Sequence, residues 1–158
     1  MEKSLSLRKQ IKNVMDVRNL LTSLDFNPKD GFVGVFSKTY RQADNYCIEI
    51  DLDKQIINYG NLIKFDSRTT QNLFQSENFA VLECVNRLLE KGYKPDNIVL
   101  EKTWSAGHGA SGRLDICVTR DDGSEYLLIE CKTYGKEFDK AFARMKKDGG
   151  QLFTYYIY

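Results

Sequence analysis

The 158-residue sequence has a single histidine, His108, and its four cysteines, Cys47, Cys84, Cys117 and Cys131, form no CxxC pair. A zinc or iron–sulfur site therefore has no ligand cluster to draw on, and the thiols are expected to be free and buried among apolar neighbours. No stretch approaches the roughly 18–20 consecutive apolar residues of a membrane-spanning helix. The N-terminus, MEKSLSLRKQIKNVMDV, lacks the continuous apolar region of a signal peptide. A cytoplasmic location and no membrane partner are expected. There is no internal repeat and no low-complexity segment. The net charge is only +1, which neither demands nor forbids a nucleic-acid partner.

What is present is enough for one domain with a real core. Leu7, Ile11, Val14, Met15, Leu20, Leu21 and Leu24 recur at helical spacing over residues 4–24. A turn at Asn27-Pro28-Lys29-Asp30-Gly31 precedes three strand-like runs, FVGVFSKTY, YCIEIDL and QIINYG, the last two joined by a short connection at Asp53-Lys54. A helix is expected over 67–91, ending at Gly92, with Val81, Leu82, Val85, Leu88 and Leu89 on its core-facing stripe. NIVLEKTW reads as a strand and SAGHGASG as a loop. A hairpin follows, then a helix over KEFDKAFARMKK. Residues 1–66 would form an N-terminal helix with a β-rich hairpin region. Residues 67–158 would form an α-β-β-β-α core, giving an α/β or α+β chain built on a mixed sheet. The chain ends on the apolar run TYYIY, and a fragment of a longer polypeptide is expected.

The hairpin, LDICVTRDDGSEYLLIECKT, carries acids in strands otherwise suited to burial. Residues two apart share a face of a strand, so Glu130 and Lys132 point together. A two-residue type I′ turn at Asp122-Gly123 pairs Asp121 with Ser124 and, counting outward, sets Asp115 opposite Glu130 and Arg113 opposite Lys132. Two facing carboxylates repel unless a cation lies between them, and Mg²⁺ takes such oxygen ligands. Lys132 on the same face would orient water or neutralise charge on phosphorus. The same residues also make an ordinary amphipathic hairpin with Lys132 as an exposed salt-bridge partner, and parity alone favours that reading.

GRLDICV followed by LLIECKT resembles the PD-(D/E)xK nuclease superfamily, with Leu114 in the usual proline position. GGQLFTYY contains Gln151-x-x-x-Tyr155, similar to the QxxxY motif of the nuclease domains of type I restriction-enzyme R subunits and of RecB-like nucleases. The stretch also resembles the N-terminal nuclease domains of restriction-modification polypeptides that carry an N6-adenine methyltransferase. The resemblance covers about half of the chain, from Ser76 to Tyr158. It implies a restriction-endonuclease-like fold and an Mg²⁺-dependent DNA endonuclease, with Mn²⁺ as a substitute metal. Asp115 and Glu130 would be metal ligands, Lys132 catalytic, and Gln151 and Tyr155 would position the site or touch DNA. A helix acid would assist at the metal, Glu77 first and Glu83 second. The implied partners are double-stranded DNA and further parts of a restriction-modification complex that supply methylation, sequence specificity or translocation. The alternatives are an inactive nuclease-like module that binds DNA or protein, and a repair exonuclease or junction resolvase of the same superfamily.

Gly107-His108-Gly109-Ala110-Ser111-Gly112 matches GxGxxG, but a strand follows it where a dinucleotide site needs a helix. His108 reads as a loop residue near DNA, and Trp104 as an anchor of the core or the loop. The lysines and arginine from Lys132 to Lys147 form a locally basic helix that could meet a phosphate backbone, although most such runs are solvated faces.

Overall fold

The computed structural model describes residues 17–106 and 110–148. The helix expected over 4–24 is described from 17 to 23 (α1). Strands β1 (Asn27–Pro28), β2 (Val35–Tyr40), β3 (Tyr46–Asp51) and β4 (Ile56–Asn58) follow, then β5 (Lys64–Phe65), α2 (Ser76–Glu90), β6 (Ile98–Ala106), β7 (Ala110–Thr119), β8 (Glu125–Ile129) and α3 (Lys136–Asp148). This is a mixed α and β chain, with two four-stranded sheets among the described residues, ordered β1-β2-β3-β4 and β5-β6-β7-β8. The first is antiparallel throughout. In the second, β5 runs parallel to β6 and the remaining pairs are antiparallel.

The N-terminal region holds more than the helix and hairpin expected: β1 to β4 form a sheet of their own, and β5 joins the second sheet. Asn27-Pro28, read as a turn, is an edge strand paired with Ser37 and Phe36. An edge tolerates proline because one side of the strand needs no ladder donor. The alternation that marked YCIEIDL is real, with Tyr46, Ile48 and Ile50 buried and Cys47, Glu49 and Asp51 half-exposed. One buried cluster holds Tyr40, Ile48 and Ile50 of the first sheet, Leu82 and Leu89 of α2, and Leu100 and Ile116 of the second. Each such side chain, taken fully from water, contributes about 1.5–3 kcal/mol. Both sheets therefore share one core, and α2 is its common element. A smaller cluster of Val99, Leu114 and Cys117 occupies the opposite side of the second sheet.

α2 starts at Ser76, later than position 67, although its stripe of Val81, Leu82, Val85, Leu88 and Leu89 is buried throughout. Side chains divert the preceding residues from the helix. Asn72 Oδ1 accepts the N–H groups of Phe74 and Gln75, a local turn that competes with helical hydrogen bonding. Asn78, itself buried, donates from Nδ2 to the carbonyls of Thr69 (3.0 Å) and Asn72 (2.8 Å). Asn78→Ala removes the donor to the Asn72 carbonyl and leaves the Thr69 carbonyl to Asn72 Nδ2, and is expected to cost about 1–3 kcal/mol, read as a lower urea midpoint at unchanged slope. A loss under 0.5 kcal/mol would show that the clamp does not set the helix start.

SAGHGASG is not a loop along its whole length. Ser105 and Ala106 pair with Ser111 and Ala110, so the strands of this hairpin run past both ends of the expected loop. Residues 107–109, with His108, lie outside the described residues.

Candidate active site

The β7–β8 connection departs from the two-residue turn. Arg120 N–H donates to Ser124 O (2.8 Å) and Gly123 N–H to Arg120 O (2.9 Å), leaving three residues, Asp121 to Gly123, in the loop. Gly123 has φ +84°, the left-handed position that ends such a loop and that glycine occupies without penalty. Asp122 Oδ1 braces it by accepting Ser124 N–H (2.9 Å) and Oγ–H (2.6 Å). A three-residue loop by itself moves every later pair by one. The strands restore the count at a bulge, where Thr119 pairs with Glu125 but Val118 with Leu127, so that Tyr126 is the extra residue. Ile116 then faces Ile129, as the shorter turn would have set them. Continued one residue outward, this register brings Asp115 to Glu130.

β8 ends at Ile129, so Glu130, Cys131 and Lys132 lie just past the strand rather than inside it. The reason is in the acid itself: Asp115 Oδ2 accepts the Cys131 N–H at 2.6 Å, a side chain taking a donor that the strand ladder would otherwise use. Lys132 Nζ donates to Glu130 Oε1 (2.6 Å), to Glu77 Oε1 (3.1 Å) and to the carbonyl of Cys131 (2.9 Å). Glu77 lies in the first turn of α2, where the helix dipole favours a carboxylate. Glu83, the other helix acid considered, is instead paired with Arg87 at 2.5 Å. Asp115, Glu130, Lys132 and Glu77 thus gather from β7, the end of β8 and the start of α2. Gln151 and Tyr155 lie outside the described residues.

Burial pushes the Asp115 carboxyl up to about 6; the Cys131 N–H pulls against this, Glu130 adds to it, Lys132 opposes it and Glu77 adds to it. Burial also works against the charged form of Lys132, but its bonds to Glu130 and Glu77 prevail and hold its pKa above the ordinary lysine value. Glu130 is the more enclosed of the two partners, its side chain 12 % exposed against 43 % for Glu77. Its second oxygen, Oε2, is buried without a hydrogen-bond partner among the described residues. A buried carboxylate oxygen lacking a donor asks for a cation or a water.

An open cleft of about 630 Å³ lies beside these groups, lined by Phe74, Gln75, Ser76, Glu77, Lys132, Thr133 and Glu137. Lys132 reaches from this cleft to the more enclosed Glu130. Phe74 and Glu137 were not singled out from sequence, and the available signal was position alone: one precedes α2, the other begins α3.

Among the described residues, no three His, Cys, Asp or Glu side chains stand together in an arrangement that would hold a metal ion. The ammonium of Lys132 is what joins Glu77 to Glu130. The donor set nevertheless fits a hard divalent cation in chemistry, since it offers carboxylate oxygens, one of them orphaned, and no soft ligand. Comparison with known proteins finds no family model, no curated protein and no solved structure that matches this chain.

Proposed function

We propose that the chain is an Mg²⁺-dependent DNA endonuclease domain of a restriction-modification enzyme, hydrolysing phosphodiester bonds with a metal-activated water. The observation that carries this reading is the meeting of Asp115, Glu130, Glu77 and Lys132 beside one open cleft. Side chains 55 residues apart, Glu77 and Lys132, are in direct contact, which an ordinary exposed hairpin pair does not require.

Asp115 and Glu130 would hold the metal, with Glu77 assisting, and Mn²⁺ would replace Mg²⁺. The bound ion supplies a water of lowered pKa and offsets charge on the phosphate oxygens. Asp115 must be ionised to act as a ligand, so its raised pKa ties the reaction to the pH range above about 6. Glu130 offers Oε2, which has no hydrogen-bond partner among the described residues. Lys132, the group that lines the cleft, places a positive charge against the scissile phosphate and orients the attacking water. The exposed Lys140, Arg144, Lys146 and Lys147 of α3 suit the flanking phosphates of double-stranded DNA.

The test is cleavage of supercoiled plasmid by the protein, with any methylation or specificity subunits added, in Mg²⁺ or Mn²⁺ and in a chelator. Metal-dependent nicking or linearisation is expected. Metal binding with no cleavage of linear, circular or branched DNA, alone or with partners, would replace this reading by that of a binding module. Cleavage confined to free ends or to junctions would point to an exonuclease or a resolvase.

A further inference from the structure

Two thiols face each other across the elements that build the site. Cys131 Sγ is 3.8 Å from Cys84 Sγ, and both cysteines are free. Cys84 lies in the middle of α2, the helix whose first turn carries Glu77. Cys131 stands between Glu130 and Lys132, and its N–H is the one that Asp115 accepts. Cys84 is partly buried and Cys131 is 4 % exposed, so Cys84 is the more accessible of the two. A disulfide needs the sulfurs to close by about 1.8 Å, to the usual 2.05 Å bond.

The geometry points to Cys84 and Cys131 as a reversible thiol–disulfide site that fixes the spacing between α2 and the segment bearing Glu130 and Lys132. The oxidant is a small-molecule disulfide. The Cys84 thiol attacks one of its sulfurs, giving a mixed disulfide and releasing one small thiol that takes up the proton. The Cys131 sulfur then displaces the second small thiol, so two protein thiols are oxidised while one small disulfide is reduced to two thiols. Bond formation moves both sulfurs and draws in the backbone of Cys131, whose N–H holds Asp115. The link thereby acts on the same two elements that the Lys132–Glu77 contact joins.

The site is tested on the whole chain with oxidised glutathione, followed by thiol counting after denaturation and by peptide mapping. Two of the four thiols should disappear, with Cys84 and Cys131 in one linked peptide, and dithiothreitol should restore them. Cys84→Ser should keep its three remaining thiols, Cys131→Ala should stop at a glutathione adduct on Cys84 and keep two, and Cys47→Ser and Cys117→Ser should still lose two. In the unaltered protein, four surviving thiols, stable glutathione adducts at Cys84, or links only between chains would overturn the proposal. Amide exchange of residues 130–133 should slow at least fivefold in the oxidised form, and unchanged exchange would overturn the claim that the link fixes their spacing. An effect on cleavage rests additionally on the nuclease reading: plasmid nicking should fall at least tenfold on oxidation and return on reduction. A protein that forms the link and never cleaves DNA would sink the nuclease reading while leaving the disulfide site in place.

Discussion

Lys132→Met should lower single-turnover DNA cleavage by about 10²–10³-fold while the apparent affinity for Mg²⁺ rises. The two effects have opposite signs because Lys132 plays against the metal in one respect and with it in another. Its ammonium is bound to Glu130 Oε1 and Glu77 Oε1, so it competes for carboxylates that a metal would use. Removing it frees both oxygens and leaves carboxylates facing each other, an arrangement that a divalent ion relieves. The same ammonium is the cationic group among the residues lining the cleft, so its loss removes the charge that would meet a phosphate under the proposed function. Methionine keeps most of the aliphatic stem and limits the change to the charge. Calorimetric Mg²⁺ titration and plasmid cleavage read the two effects separately. A variant that cleaves within twofold of the parent would remove Lys132 from the chemistry. Loss of both cleavage and metal affinity would show instead that it holds the carboxylates in place. Lys132→Arg should not restore activity, because a planar fork cannot occupy the position of a compact ammonium shared among three acceptors.

The second large effect concerns Asp115 and pH. With a pKa of about 6, cleavage should fall about tenfold for each pH unit below that value and level off above it. Asp115→Asn should lose about 10²–10³-fold of cleavage and show no such step, since the amide oxygen still accepts the Cys131 N–H but carries no charge to a metal. Stability runs the other way. The folded-state pKa lies above the unfolded value of 3.8, so the fold binds this proton more tightly than the unfolded chain does. The stability that the group contributes is fully present below the unfolded pKa and is lost as pH rises through about 6. Without metal, Tm should therefore decline across that window, and Asp115→Asn should abolish the decline. Mg²⁺ should raise Tm more at pH 7.5 than at pH 5. A cleavage profile flat from pH 5 to 8 would exclude Asp115 as the ionising ligand.

Strands and helices with a clean period were legible in the sequence, because burial of one face leaves its mark on every second or every third-to-fourth residue. Tyr46, Ile48 and Ile50 mark β3 in this way, as do Leu82, Val85 and Leu89 in α2. What escaped was set by single side chains rather than by periods. The start of α2 depends on Asn72 and Asn78 reaching backbone groups several residues away. The two-residue strands β1 and β5 are too short to show a period at all. At the site, parity put Glu130 and Lys132 together and turn counting put Asp115 near them, yet the turn itself was misjudged. Glu77 and Glu83 were indistinguishable by composition. Only the fold shows that Glu77 meets Lys132 while Glu83 turns to Arg87.

The loop of three residues and the bulge at Tyr126 amount to an odd step taken twice. In a hairpin, the facing of every residue beyond the turn is a binary quantity, and each one-residue slip inverts it. Two slips return it to its starting value, so Ile116 faces Ile129 although neither irregularity alone would allow it. The two are thus locked together as a parity check. A lineage that lengthened or shortened this loop by one residue would need a matching change at the bulge, whereas changes by two pass freely. Drift in the length of 119–126 among related chains should therefore proceed in even steps wherever the site downstream is kept.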